Sequence, residues 1–344
     1  MENNGRQMQG KFYTVRFQFP ILWKAFFALT ITLFFFLAYV PQFRKILYQA
    51  LPIKVVAVIF NAERIDDFEK SASNCKEDSD GTIYISSKSK LISYKEGSNR
   101  ELITSNKIRD LNGGKYQSIN VFNVINGKIF IVDWYGSVFS DLNGNWQRIY
   151  TPDKKNYSTN ILFLNDKYYL VYSKKLLIFD NAFKLIKSEF DDESISCSII
   201  FKGDLFILKK EGLLKLEGAS WKKVFHSPDF FASGIFTNDE NLILLSKKKG
   251  LTYLNEKFEV IDNELPGNYF DGYAKDEHFE VVTAYKEGFF VRQQGKDWIQ
   301  FPSPGKTKSR TGDIVLKEGH VWMPCYGSGL FKVDLIRLLE LENY

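Results

Sequence analysis

The sequence predicts an all-β chain: a seven-bladed β-propeller preceded by one N-terminal transmembrane helix, with six or eight blades as the alternative counts. Two observations carry the propeller. A strand–turn–strand unit recurs along most of the chain, clearest from Gly203 to Glu217, where an apolar run, a short charged turn closed by Gly212 and a second apolar run follow one another. No stretch between residues 80 and 335 keeps a 3.6-residue apolar period. Short β-branched and aromatic runs bounded by Gly, Asn, Asp and Pro fill it instead, which is the signature of strands.

Copies of the unit begin near Gly81, Gly127, Asp166, Gly203, Glu240, Glu277 and Gly319, at separations of 46, 39, 37, 37, 37 and 42. A period of about 40 to 50 residues is that of a four-stranded propeller blade. Two further strands complete each period. An aromatic residue opens the outer one: Trp146, Phe183, Trp221, Phe258 and Trp298. The inner one precedes the next unit, as at Ile161 to Leu164, Ile199 to Phe201 and Ile314 to Leu316.

The order strand, glycine-leucine turn, strand, tryptophan resembles the repeat of the two-component-regulator type of bacterial β-propeller. Gly212-Leu213, Gly250-Leu251 and Gly329-Leu330 carry the resemblance, which extends over residues 81–334. Lys90-Leu91 and Lys175-Leu176 lack the glycine, and Gly136 is followed by Ser137. The resemblance implies a sensory propeller of the kind that forms half of a larger signalling protein. With no room here for a kinase or DNA-binding domain, the signalling role is not expected to carry over.

Four regions follow: a tail (1–19), the transmembrane helix (20–41), a connector with a candidate ring-closing strand (42–74) and the propeller (75–344). Ala25 to Val40 is sixteen residues without a charge. At 1.5 Å rise that spans about 24 Å, which Pro20 to Trp23 extend towards the ~30 Å hydrocarbon thickness. Trp23 and Tyr39 sit where an aromatic belt forms, and Lys24 can snorkel to the headgroups. The basic flank up to Lys24 places the N-terminus in the cytoplasm and the propeller in the periplasm or outside the cell. In the connector, Lys54 to Phe60 reads as the strand that closes the ring, since open sheet edges invite wrong pairing. Ile336 to Glu342 reads as the outer strand of the last blade.

The 344 residues carry a formal charge of +5, but residues 1–60 hold seven basic residues and one acid. The other 284 positions hold 39 basic and 40 acidic residues, so the soluble part is nearly neutral and nucleic-acid binding loses its support. Cys75, Cys197 and Cys325 lack metal or redox spacing. Cys197 reads as a small buried hydrophobe, and ring closure makes a Cys75–Cys325 disulfide conceivable. His226, His278 and His320 have no ligand-like neighbours, and no nucleophile elbow or phosphate loop is present. No catalytic, cofactor or metal residue is therefore assigned.

The reading is a non-catalytic, membrane-anchored propeller, a protein-interaction scaffold or accessory subunit of a membrane or cell-envelope complex. The alternative is a ligand- or glycan-sensing propeller signalling through a separate partner; a propeller hydrolase or lyase ranks third. One face stands out. The turns between second and third strands fall at 86–90, 133–136, 173–175, 209–211, 246–249, 284–287 and 326–328, and ten of these twenty-six positions are lysine. They are Lys88, Lys90, Lys174, Lys175, Lys209, Lys210, Lys247, Lys248, Lys249 and Lys286, joined by Trp134, Tyr135 and Tyr326. Such a face suits an anionic partner: lipid headgroups, an acidic glycan or an acidic protein surface. The competing account is that lysine is simply a common solvated turn residue.

Overall fold

The computed structural model describes residues 62–65, 72–95, 97–115, 118–142, 144–190, 194–209, 212–226, 232–238, 240–246, 249–265, 270–285, 288–304 and 313–340. All belong to one compact unit, Leu51–Tyr344. They form seven four-stranded antiparallel sheets, the seven blades of a propeller.

Strand β1 (Ala62–Ile65) comes first in the chain and belongs to the last blade. Blade 1 is β2 (Ala72–Glu77), β3 (Ile83–Ser87), β4 (Lys90–Lys95) and β5 (Ser98–Thr104), followed by helix α1 (Ser105–Leu111). Blade 2 is β6 (Ile119–Ile125), β7 (Lys128–Asp133), β8 (Val138–Leu142) and β9 (Asn145–Tyr150). Blade 3 is β10 (Ser158–Leu164), β11 (Lys167–Tyr172), β12 (Leu176–Phe179) and β13 (Leu185–Glu189). Blade 4 is β14 (Ile195–Phe201), β15 (Asp204–Lys209), β16 (Gly212–Glu217) and β17 (Ser220–His226). Blade 5 is β18 (Ala232–Thr237), β19 (Leu242–Ser246), β20 (Gly250–Leu254) and β21 (Val260–Glu264). Blade 6 is β22 (Phe270–Lys275), β23 (Phe279–Ala284), β24 (Gly288–Gln293) and β25 (Ile299–Phe301). Blade 7 is β26 (Val315–Lys317), β27 (His320–Cys325) and β28 (Gly329–Asp334), with β1 as its outer strand and helix α2 (Leu335–Glu340) after β28.

Burial explains the sequence pattern. Second strands are apolar without alternation, as in Leu205 to Leu208 or Leu242 to Leu245, because the neighbouring blades cover both of their faces. Each such side chain contributes about 1.5–3 kcal/mol on burial. Fourth strands face solvent: Leu185 to Ser188 and Val260 to Asn263 are all exposed. First strands of successive blades contact one another around the axis.

The aromatic that opens each outer strand plugs the gap to the preceding blade, in two ways. Tryptophan donates its indole N–H: Trp146 to the Leu102 carbonyl at 3.0 Å, Trp221 to Glu189 at 2.6 Å and Trp298 to Glu264 at 2.9 Å. Phenylalanine is instead swung inward by a left-handed turn, φ +61° at Phe183 and +62° at Phe258. Asp180 and Asn255 brace those turns by accepting backbone N–H bonds. Phe183 then stacks on Phe179 of its own blade at 4.5 Å and on Phe130 of blade 2 at 6.1 Å, and Phe258 lies 5.5 Å from Phe206 of blade 4.

Two expectations change, and two others fall outside the described residues. The outer strand of blade 7 is β1, paired antiparallel with β28 from Ala62↔Val333 to Ile65↔Leu330, and not Ile336 to Glu342, whose described residues, 336–340, lie in α2. The apolar pattern there belongs to a helix that buries Leu335 and Leu338. Lys54 to Phe60, the expected closing strand, lies outside the described residues. Cys75, Cys197 and Cys325 are all free thiols. Cys75 packs in the core between blades 1 and 7, whereas Cys325 ends β27 with its Sγ 3.8 Å from Ser303 Oγ. Among the described residues no helix is long and apolar enough to cross a membrane. The expected span 20–41, with Trp23, Lys24 and Tyr39, lies outside them.

Candidate binding face and central channel

Antiparallel order puts every turn between second and third strands, together with the loops linking one blade to the next, on the same face of the disc. The sharpest feature there is in blade 2. Asp133 ends β7 fully buried, and its Oδ1 accepts the backbone N–H of Tyr135 at 2.8 Å and of Ser137 at 2.9 Å. Burial raises its carboxyl above the ordinary range, partly offset by those N–H bonds. Gly136 follows at φ +95°, where a Cβ would stand 2.7 Å from the Asn156 carbonyl and 2.8 Å from the Tyr172 ring. The Gly136 carbonyl instead accepts the buried Tyr172 hydroxyl at 2.7 Å. Burial, foremost, pushes the Tyr172 pKa upward.

That rigid turn holds Trp134 and Tyr135 outward, 43% and 46% exposed. Tyr157, from the loop into blade 3, meets Trp134 edge-on at 5.1 Å. The Lys155 ammonium lies 5.0 Å from the Tyr157 ring, 5.1 Å from Tyr135 and 6.0 Å from Trp134, within cation–π range. A second pair crosses the seam between blades 7 and 1, where Lys88 Nζ donates to Tyr326 Oη at 2.6 Å. Among the described residues, every strongly exposed aromatic, Trp134, Tyr135, Tyr157 and Tyr326, stands on this face.

The remaining sequence-derived candidates spread around the same rim. Lys174 and Lys249 are exposed, Lys90 and Lys175 are half-buried, and Lys209 lies 4.0 Å from the Phe190 ring. Lys210, Lys247, Lys248 and Lys286 lie outside the described residues. Tyr157 and Lys155 escaped the sequence reading because they sit in an inter-blade loop of irregular length, where no repeat position points to them.

The axis holds a channel of about 500 Å³ lined by the first strand of each of the seven blades. In six blades a β-bulge interrupts that strand, at Ser73, Asn120, Thr159, Ser196, Ser233 and Asp271. A bulge frees its residue from the ladder, and Thr159, Ser196 and Asp271 among these line the channel. Asparagines stitch blade to blade: Asn120 donates to the Ser158 carbonyl at 2.8 Å, Asn123 to Ile161 at 2.7 Å and Asn160 to Ser198 at 3.0 Å. Lys76 and Asp313 form a 3.8 Å ion pair on the wall, with Asp271 also lining the channel. The Cys197 thiol, also on the wall, is pushed up to about 12, chiefly by burial. None of the three histidines lines the channel.

No protein-family model matches the chain, and no curated protein matches it. Solved structures do. The chain is similar to virginiamycin B lyase from Staphylococcus aureus, solved as an inactive histidine-to-alanine variant with quinupristin. The TM-score is 0.65 at 10% identity, over 80% of this chain and 98% of the lyase. It is similar to the extracellular domain of a putative hybrid two-component system of B. thetaiotaomicron, with a TM-score of 0.60 and 14% identity over 79% of this chain and 39% of that one. It is also similar to PorZ of Porphyromonas gingivalis, a surface component of the type-IX secretion system, with a TM-score of 0.56 and 13% identity over 80% and 38%. At such identities the likeness shows the seven-bladed fold and no shared activity.

Proposed function

We propose that this chain is a non-catalytic, membrane-anchored propeller that presents its aromatic and lysine face to a protein partner in a membrane or cell-envelope complex. The observation that carries this reading is the gathering of every strongly exposed described aromatic on one face, interleaved with lysines. Tyrosine and tryptophan on pre-braced turns are the residues that anchor interfaces, because they bury large area at small cost in side-chain entropy. The lysines favour an acidic partner surface. The anchor at 20–41 keeps the disc within reach of the membrane, with the propeller on the extracytoplasmic side. PorZ, a bacterial surface component of the type-IX secretion system, offers an analogy at the level of the fold.

Sensing is the second reading, favoured by the polar channel and by the likeness to a two-component extracellular domain. The lyase reading draws less support: Asp271 and Asp313 do line the channel, but Asp313 is paired with Lys76 and the histidines stand elsewhere.

The test is co-purification of the full chain in mild detergent, comparing the native protein with Trp134→Ala/Tyr135→Ala and with Lys88→Glu/Lys174→Glu/Lys249→Glu. The first change should abolish a stoichiometric partner. The second should weaken it most at low salt, since screening shortens to about 8 Å at physiological ionic strength. Equal retention by all three proteins at every salt concentration overturns the reading.

A further inference from the structure

We propose that the rim of the disc is a self-association surface, on which the outer edge of blade 3 in one copy docks against the outer edge of blade 5 in the next. Among the described residues, the strongly exposed large aliphatic side chains on strands are Leu185 and Ile186 of β13 and Val260 and Ile261 of β21, 46–54% exposed. Both pairs follow the left-handed phenylalanine plugs, Phe183 and Phe258. In the tryptophan blades the aliphatic three residues beyond the aromatic behaves differently: Ile149 and Val224 pack against the core, whereas Ile186 and Ile261 stand in solvent. Exposed apolar side chains gathered in pairs and rimmed by charge mark a surface that meets a partner.

The flanking charges name the partner as a second copy of this chain. One edge runs Lys184-Leu185-Ile186-Lys187 and the other Glu259-Val260-Ile261-Asp262, the same pattern with its charges inverted, and all eight residues are exposed. Discs lying alike in one plane would set Lys184 against Glu259, Leu185 against Val260, Ile186 against Ile261 and Lys187 against Asp262. Like edges repel, because lysine would then face lysine and acid would face acid. Blade 4 separates the two edges within one molecule, so they meet only between copies. Lys187 shares Glu189 of its own strand, but among the described residues Lys184, Glu259 and Asp262 take part in no ion pair. The ladder shifts register at Ile186 and again at Ile261, and such bulges discourage a shared sheet, so the contact is made by side chains. Unlike patches on the two copies make the interface heterologous, and copies then join head to tail in a row or a closed ring. Each joint covers far fewer than the ~20–30 residues a side of a stable interface, so it is weak and must be trapped to be seen.

The test is disulfide trapping of the concentrated full chain in mild detergent, with Leu185→Cys and Val260→Cys oxidised separately and as an equal mixture. Native Cys75 and Cys325 are buried and Cys197 stands on the channel wall, away from the rim. The mixture should yield disulfide-linked dimers, each variant alone only background, and the chain carrying both changes a ladder of higher oligomers. Adding Lys184→Glu/Lys187→Glu to the Leu185→Cys chain should cut the dimer yield at least about tenfold, because acid then faces acid. Adding Glu259→Lys/Asp262→Lys to the Val260→Cys chain should restore it. Trp134→Ala/Tyr135→Ala should leave the yield unchanged, which separates this surface from the aromatic and lysine face. No cross-link in the mixture, as when a different protein covers these edges, an equal yield from Leu185→Cys alone, or no rescue by the reversed charges each overturns the proposal.

Discussion

Replacing Arg292 by methionine tests how the blades are held together. The guanidinium bridges blades 5 and 6, donating to Glu280 Oε2 and to Glu264 Oε1, each at 2.7 Å. Its planar group also lies 4.6 Å from the Trp298 ring. Tyr253 and Tyr273 both donate to the other Glu280 oxygen, Oε1, at 2.9 and 2.6 Å. The Glu280 side chain is 6% exposed and Glu264 19%. Breaking a buried pair by removing one partner costs about 3–5 kcal/mol. Glu280 keeps two tyrosine donors and Glu264 keeps the Trp298 indole, which places the loss at the low end, about 3 kcal/mol. At roughly 2–4 °C per kcal/mol for a domain of this size, Tm falls by about 6–12 °C. Thermal unfolding followed by near-UV circular dichroism measures it. Arg292→Met/Glu280→Met should recover more than half of the loss, because no carboxylate is then stranded on Glu280. A Tm drop under about 2 °C in Arg292→Met would refute the bridge as a stabilising element. A double variant no better than the single would show that packing, and not the stranded charge, sets the cost.

Three further outcomes are expected. A chain starting at residue 67 lacks β1 and bares the edge of β28. It should lose about 2–3 kcal/mol from Ile65 packing and ladder hydrogen bonds relative to a chain starting at 42, and self-associate in sedimentation; equal melting and mass would show β1 to be dispensable. Asp133, whose folded-state carboxyl is raised by burial, favours the folded state when protonated, so native stability relative to Asp133→Asn should grow as pH falls from 7 through the raised pKa towards 3.8. A pH-independent difference in urea midpoints contradicts that sign. Gly288→Ala should cost about 1–3 kcal/mol, since its Cβ would stand 2.0 Å from the Phe301 carbonyl at φ +93°. Gly203→Ala, equally left-handed but in open space, should cost only about 1 kcal/mol, and equal losses would discount the close approach.

The repeat made the blade count legible because each blade must bury one uninterrupted apolar strand between its neighbours, and Leu205 to Leu208 or Leu242 to Leu245 show that demand in the residues alone. Turn positions were legible for the same reason: Gly212, Gly250 and Gly329 mark where the second strand reverses. The lysines of those turns were also visible, since antiparallel order places them on one face without further information. Ring closure was not, because Ile336 to Glu342 is as apolar as a strand and only pairing to β28 distinguishes it from Ala62–Ile65. The alternation of Trp146, Trp221 and Trp298 with Phe183 and Phe258 looked like one aromatic position. The structure separates it into an indole that donates to the preceding blade and a left-handed phenyl plug, a difference of backbone dihedral that composition does not carry. Nor does sequence bring Trp134, Tyr135, Tyr157 and Lys155 together, or set Ser198, Asp271 and Asp313 around one axis. Those groups lie in different blades, and only the closed ring, through loops and bulges that break the repeat, makes them neighbours.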